Sequence, residues 1–189
     1  MVGKVRKRPS ISQCHGIHAD RTVAVLGGGP SLPEDLERVP LDAVLISVNH
    51  HALRLVVPDY MVFMDKPSRV EEVPFTEATR PTPLYYRVSP HSNYTDFGLC
   101  AEEKWWDGGF SSALGVWLAC HLGTGKVLLA GMDLYQGPAP YFYRTQAVPS
   151  CARSSVADHL RAWRPMGVHC HRPGRIEALS GPLRTAILA

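Results

Sequence analysis

Apolar residues along this chain fall in short runs, each closed by glycine, proline, asparagine or aspartate. Val23 to Leu26, Ala43 to Val48, Tyr60 to Met64, Leu84 to Val88, Lys126 to Ala130 and Val168 to His171 have the length and β-branched content of buried strands. Stretches with helical signals lie between them. Pro30, Ser31 and Pro33 suit a helix start running through Glu34, Asp35 and Leu36. A short helix is expected over His51 to Leu55. A longer one over Ser111 to Leu122 is apolar on much of its surface, with Ala113, Gly115 and Ala119 allowing close packing and Gly123-Thr124-Gly125 stopping it. Ser155 to Arg164 predicts an amphipathic helix capped by Ser154 or Ser155. Lys66 to Thr82, rich in Pro, Glu and Thr, predicts a surface excursion, and Ser89 to Trp106 has no clear period. Short apolar strands alternating with helices predict an α/β sandwich with a mainly parallel sheet.

Composition narrows the class. The 189 residues suffice for one domain with a substantial core, and 45% hydrophobic with 20% charged residues is ordinary for a globule. Residues 1–20 predict a flexible basic tail carrying Lys4, Arg6, Lys7 and Arg8, and residues 21–189 a single domain. Net charge is only +3, basic residues beyond the tail are dispersed, and no recognition motif is visible, which disfavours nucleic acid. No apolar run reaches membrane-spanning length and the first residues lack a signal peptide's apolar core, so a cytoplasmic protein is expected. Five cysteines without framework spacing predict reduced thiols. Two clusters have metal-ligand chemistry, Cys14-His15 with His18 and His169-Cys170-His171. Neither has a paired C-x-x-C knuckle, and a terminal strand with ordinary side chains explains the second as well. The adjacent Trp105-Trp106 suits homo-oligomer contact, a carbohydrate platform or the core.

The chemistry concentrates at Gly27-Gly28-Gly29-Pro30-Ser31. A strand, a glycine turn and a helix start form an anion site when unpaired N–H groups point at one place; otherwise they form a tight turn and nothing more. The run completes neither the G-x-G-x-x-G dinucleotide fingerprint nor a P-loop. In parallel sheets ligands lie beyond the carboxyl ends of strands. Gly27 to Ser31, Asn49, Asp65 and Gly131 to Asp133 all follow predicted strands, so one rim is expected to collect them.

These residues also carry a resemblance. Gly27-Gly28-Gly29-Pro30-Ser31-Leu32 with Asn49 is similar to the opening of bacterial CMP-sialic acid-using sialyltransferases of the Campylobacter type. Phe110-Ser111-Ser112, its helix, and Lys126 through Gly131-Met132-Asp133-Leu134-Tyr135-Gln136 run in register with that family, and Pro140-Tyr141-Phe142-Tyr143 resembles its aromatic loop. Related Gly-Pro-Ser and Gly-Met-Asp patterns occur in archaeal 6-hydroxymethylpterin diphosphokinases. The resemblance implies a Rossmann-like three-layer sandwich and a nucleotide-binding transferase, with glycosyl (sialyl-like) transfer from a CMP-activated sugar as the leading activity. It places the donor phosphate on Gly27, Gly28, Gly29 and Ser31, with the nucleotide at Asn49. Ser111 and Ser112 would stand near the phosphate or base, Gly131 and Asp133 under the ribose or in the loop, and Tyr141 and Tyr143 over the donor. Asn49 and Asp65 also read as turn or helix caps, and Ser111 as an N-cap.

The departures are specific. The family's general-base histidine, expected just before the Ser155 to Arg164 helix, is absent from Val148-Pro149-Ser150-Cys151-Ala152-Arg153. Gly108 and Gly109 stand where the family has an arginine. His91, in a loop, and Tyr143 are the substitutes for the base, and a non-catalytic nucleotide-binding module is the alternative. The diphosphokinase alternative implies Mg²⁺ on Asp65 and Asp133, with Lys66 where a second acidic residue is expected. The acceptor is not identified by any residue.

Overall fold

The computed structural model describes residues 11–64, 86–89, 97–98, 110–134, 139–143, 157, 161 and 175–184, with backbone alone at 11–12, 86–89, 97–98 and 175. Among these residues seven strands form one sheet: β1 (Thr22–Leu26), β2 (Val44–Val48), β3 (Tyr60–Val62), β4 (Tyr86–Ser89), β5 (Phe97–Gly98), β6 (Lys126–Ala130) and β7 (Arg175–Ala178). Their order is β5-β4-β3-β2-β1-β6-β7, and every pairing is parallel. Central β1 aligns Val25 with Ile46 on one side and with Leu129 on the other.

The apolar runs are explained by burial on two faces. Val23 and Val25 of β1, with Val127 and Leu129 of β6, enter one core, which includes α2 (Ser111–His121). The alternate residues Ala24, Leu26, Leu128 and Ala130 enter a second core with Leu32, Ala52 and Leu179. Leu32 opens α1 (Leu32–Leu36), and Ala52 lies in a 3₁₀ turn over His51–Arg54. Helix, sheet and helical turns therefore make the three layers that the alternation predicts.

Helix α2 is buried at every residue from Ser112 to Cys120, so it lies flat on the sheet rather than amphipathically at the surface. Gly115 permits that approach: a Cβ there would stand 2.7 Å from Val25 Cγ1. Phe110, extended at φ −124° and ψ 136°, is the N-cap, and Ser111 is the first helical residue, which corrects the N-cap reading of Ser111. Gly123, at φ +84°, then turns the chain towards β6. Because α2 leads directly into the start of β6, its N-terminus lies at the carboxyl rim of the sheet.

Several boundaries differ from expectation. Residues 14–20 are docked: the Gly16 and His18 N–H groups donate to the carbonyls of His121 and Leu122, and Cys14 is buried, so the tail reading does not hold for them. The His18 ring lies 3.0 Å from the Tyr60 hydroxyl. Burial lowers the His18 pKa below its ordinary value, Arg21 lowers it further, and Asp59 opposes both. Cys120 is disulfide-bonded and Cys14 is a free thiol, so the expectation of reduced cysteines throughout is also corrected. Strands β5 and β7 were not expected, and the predicted strand over Val168 to His171 lies outside the described residues. Ala157 and Arg161, inside the predicted fourth helix, are helical. Among the described residues no helix is long and apolar enough to cross a membrane.

Candidate functional site

The chain steps outward from β1 to β5 and then returns to place β6 on the other side of β1, so strand order reverses between β1 and β6. Open parallel sheets bind ligands at such a point. The expected residues do converge there: Gly27 to Ser31 follow β1, and Gly131 to Asp133 follow β6. The crevice between them is closed by the protein itself. The Gly27 N–H donates to the Ala130 carbonyl at 2.8 Å, the Gly29 N–H to the Gly131 carbonyl at 2.9 Å, and the Leu32 N–H to the Gly29 carbonyl at 3.1 Å. The Ser31 N–H and hydroxyl lie 3.0 and 2.9 Å from Asp133 Oδ2.

The phosphate cradle expected at Gly27, Gly28, Gly29 and Ser31 is therefore corrected at Gly27, Gly29 and Ser31, because those amides have internal acceptors, and all three glycines are buried. Close approach explains the glycines instead. A Cβ at Gly27 would stand 2.3 Å from the Gly131 carbonyl oxygen, and one at Gly29 2.0 Å from Asp133 Oδ2. At Gly28 it would strike the His51 ring at 2.5 Å. Of the two roles open to Asp133, the observed one is loop stabilisation. Gly131 occupies a left-handed turn at φ +64°.

A buried carboxylate completes the closure. Asp35, 1% exposed, accepts the Gly131 N–H at 2.9 Å and the Ser180 hydroxyl, and lies 3.1 Å from the Ser31 hydroxyl. The single Ser31 hydroxyl proton thus lies within reach of two carboxylates. Arg38 lies 3.7 Å from Asp35 and donates to the Leu179 carbonyl at 2.6 Å.

The turn leaving β2 is organised differently. Asn49 is left-handed at φ +56°, a conformation that asparagine tolerates better than most residues. Its backbone N–H donates to the Val62 carbonyl and its carbonyl accepts the Ser47 hydroxyl. Its side-chain Oδ1 is buried and has no hydrogen-bond donor among the described residues. Such an acceptor costs free energy unless a ligand or water supplies a donor.

Directly after it, His50 and His51 are 8% and 7% exposed. The His51 ring stacks on Tyr141, with centroids 4.2 Å apart, and its Nδ1 lies 2.7 Å from the Tyr143 hydroxyl. His50 Nε2 stands 3.4 Å from the same hydroxyl, and the Arg54 guanidinium lies 4.1 Å from the centre of the Tyr143 ring. The Phe142 N–H donates to the Gly28 carbonyl at 3.0 Å, fixing this aromatic segment across the end of β1.

Asn49, Tyr141 and Tyr143 are thus gathered around the carboxyl ends of β1 and β2. Ser111, half-buried, and Ser112, 8% exposed, open α2 at the same rim. Asp65 and His91 lie outside the described residues. The Cys14, His15 and His18 metal cluster does not form: no group of three ligands is assembled among the described residues, and His15 packs edge-on against His121. His169-Cys170-His171 also lies outside them. Sequence reasoning missed His50, His51 and Arg54. The available signal was two imidazoles directly after a strand-ending asparagine, a position that faces the rim in a parallel sheet.

No family model and no curated protein sequence matches this chain. Among solved structures it is similar to that of the sialyltransferase CstII from Campylobacter jejuni in complex with a substrate analogue, cytidine-5'-monophosphate. The TM-score is 0.59 and the identity 18%, over 88% of this chain and 84% of that one. The shared property at this identity is the fold, a Rossmann-like α/β sandwich around a parallel sheet.

Proposed function

We propose that this chain is a nucleotide-binding transferase that moves a sialyl-like glycosyl group from a CMP-activated sugar, with the nucleotide lying over the carboxyl ends of β1 and β2. The observation that carries the reading is the buried Asn49 Oδ1, an acceptor awaiting a donor. A nucleotide has amino and hydroxyl donors of the required kind. Fold similarity to a sialyltransferase whose structure holds cytidine-5'-monophosphate supports the same nucleotide class here. Because the amides of Gly27, Gly29 and Ser31 are engaged, the donor phosphate moves in this reading to the Tyr141 hydroxyl and the Arg54 cation. Ser111 and Ser112 at the start of α2 flank it. Transfer needs the leaving phosphate stabilised by such donors, and a base within reach of the acceptor hydroxyl.

Titration calorimetry and thermal unfolding with CMP, CDP, GMP and ATP test the reading. CMP at 100-fold above its Kd is expected to stabilise the fold by about 2.7 kcal/mol, with smaller shifts for the purine nucleotides. The absence of any CMP effect overturns nucleotide binding. CMP binding without hydrolysis or transfer of a CMP-sugar identifies a non-catalytic nucleotide-binding module.

A further inference from the structure

We propose that Tyr143 is the group that takes the acceptor's proton, with His51 as the positioning base behind it; this assignment rests on the transferase reading above. The geometry is that of a built dyad. His51 is 7% exposed, and its Nδ1 stands 2.7 Å from the Tyr143 hydroxyl, while that tyrosine is half-buried. Two stretches of chain, the β1 turn and residues 141–142, hold the pair. Gly28 leaves the space the His51 ring fills, since a Cβ there would lie 2.5 Å from it. Tyr141 stacks on His51 at 4.2 Å and also on Tyr143, with ring centroids 5.6 Å apart and planes nearly parallel at 9°. The Phe142 N–H bond to the Gly28 carbonyl fixes the segment that carries both tyrosines.

A phenol is protonated at neutral pH, so it receives a proton only by passing on its own. The imidazole Nδ1 is placed to take that proton, which puts the resting His51 proton on Nε2. The step balances. The acceptor O–H bond breaks and its proton passes to Tyr143, whose own proton moves to His51 Nδ1. The acceptor oxygen forms a bond to the anomeric carbon, while the bond from that carbon to the donor phosphate breaks and the phosphate leaves with the electron pair. Among the described residues, the groups facing the dyad are His50, 3.4 Å from the same hydroxyl, Arg54 over the ring, Tyr141 on the His51 face and Gly28 of the β1 turn. This arrangement supplies the function of the histidine missing from Val148 to Arg153.

The test uses the full chain with CMP-N-acetylneuraminate, following hydrolysis and transfer, and CMP affinity by calorimetry. Tyr143→Phe is expected to lower kcat about 100-fold or more, with KM and CMP affinity within about threefold of wild type. The wild-type kcat profile is expected to fall at acid pH as His51 takes up a proton, and His51→Asn is expected to abolish that limb. If either variant fails to fold, 3-fluorotyrosine at position 143 keeps the shape and, by making the phenol oxygen less basic, is expected to change kcat about threefold or more with CMP affinity unchanged. Turnover that survives Tyr143→Phe, or a kcat that fluorination leaves unchanged, overturns the base assignment alone. CMP binding without any turnover in the wild type overturns it too. Failure to bind CMP removes the transferase reading and this assignment together.

Discussion

The turns leaving β1 and β2 lie side by side at one rim of the sheet, yet they use their polar groups in opposite ways. After β1, the N–H groups of Gly27, Gly29 and Ser31 find acceptors in residues 130–133, and the glycines are there because the Gly131 carbonyl, the His51 ring and the Asp133 carboxylate approach them closely. After β2, Asn49 leaves a buried acceptor without a donor, and two imidazoles converge on a tyrosine from a distant loop. The first turn is a structural joint, and the second holds the candidate site. A glycine-rich strand exit marks close approach, and whether a ligand or the protein makes that approach depends on what the neighbouring strand offers.

Substitutions break this comparison in a graded series. The largest effect is expected at Gly29→Ala, where the new Cβ would stand 2.0 Å from Asp133 Oδ2 and 2.7 Å from the Gly131 carbonyl oxygen. Denaturant unfolding should show a loss of about 3 kcal/mol. A loss below about 1 kcal/mol would mean that the joint is looser than described. Asp35→Asn follows, at about 2 kcal/mol, because an amide NH₂ then confronts N–H and O–H donors where a carboxylate had accepted them.

At the second turn the signs separate. Asn49→Gly fits the φ of +56° and removes the orphan oxygen, so stability should stay within about 0.5 kcal/mol of wild type. CMP affinity should drop about tenfold, roughly 1.4 kcal/mol, by calorimetry. Retained affinity in this variant would detach Asn49 from the nucleotide. The smallest expected effect is at His18, in neither turn. Its folded pKa is below the unfolded value, so the unfolded chain binds more protons as pH falls past the histidine range. Stability should therefore decline from pH 7 towards pH 5, by no more than about a few tenths of a kcal/mol for a half-exposed ring, and His18→Gln should flatten that slope.

Much of the architecture was legible from β-branched runs: β1, β2, β3, β6 and α2 appear close to their expected places, because burial on two faces leaves a dense apolar signal. Strand β7 left no such signal. Arg-Ile-Glu-Ala lies at the sheet edge, and Glu177 pairs with Lys126 at 2.9 Å instead of entering a core. The two-residue β5 is too short to show any period. For the site, position was legible and state was not. Strand ends pointed to the rim where these residues converge, but no local pattern reveals that the acceptors for the Gly27, Gly29 and Ser31 amides come from residues 130–133. His51 was passed over because its partner Tyr143 is 92 positions away.

The Asp35 junction carries one more consequence. It gathers Ser31 from the opening βα unit, Gly131 from the middle of the chain and Ser180, which is 145 positions downstream. During translation, the first of these elements emerges from the ribosome long before its last fastener has been synthesised. The amino-terminal half must then wait, incompletely locked, until residue 180 has cleared the exit tunnel, so the protein matures late and as a unit.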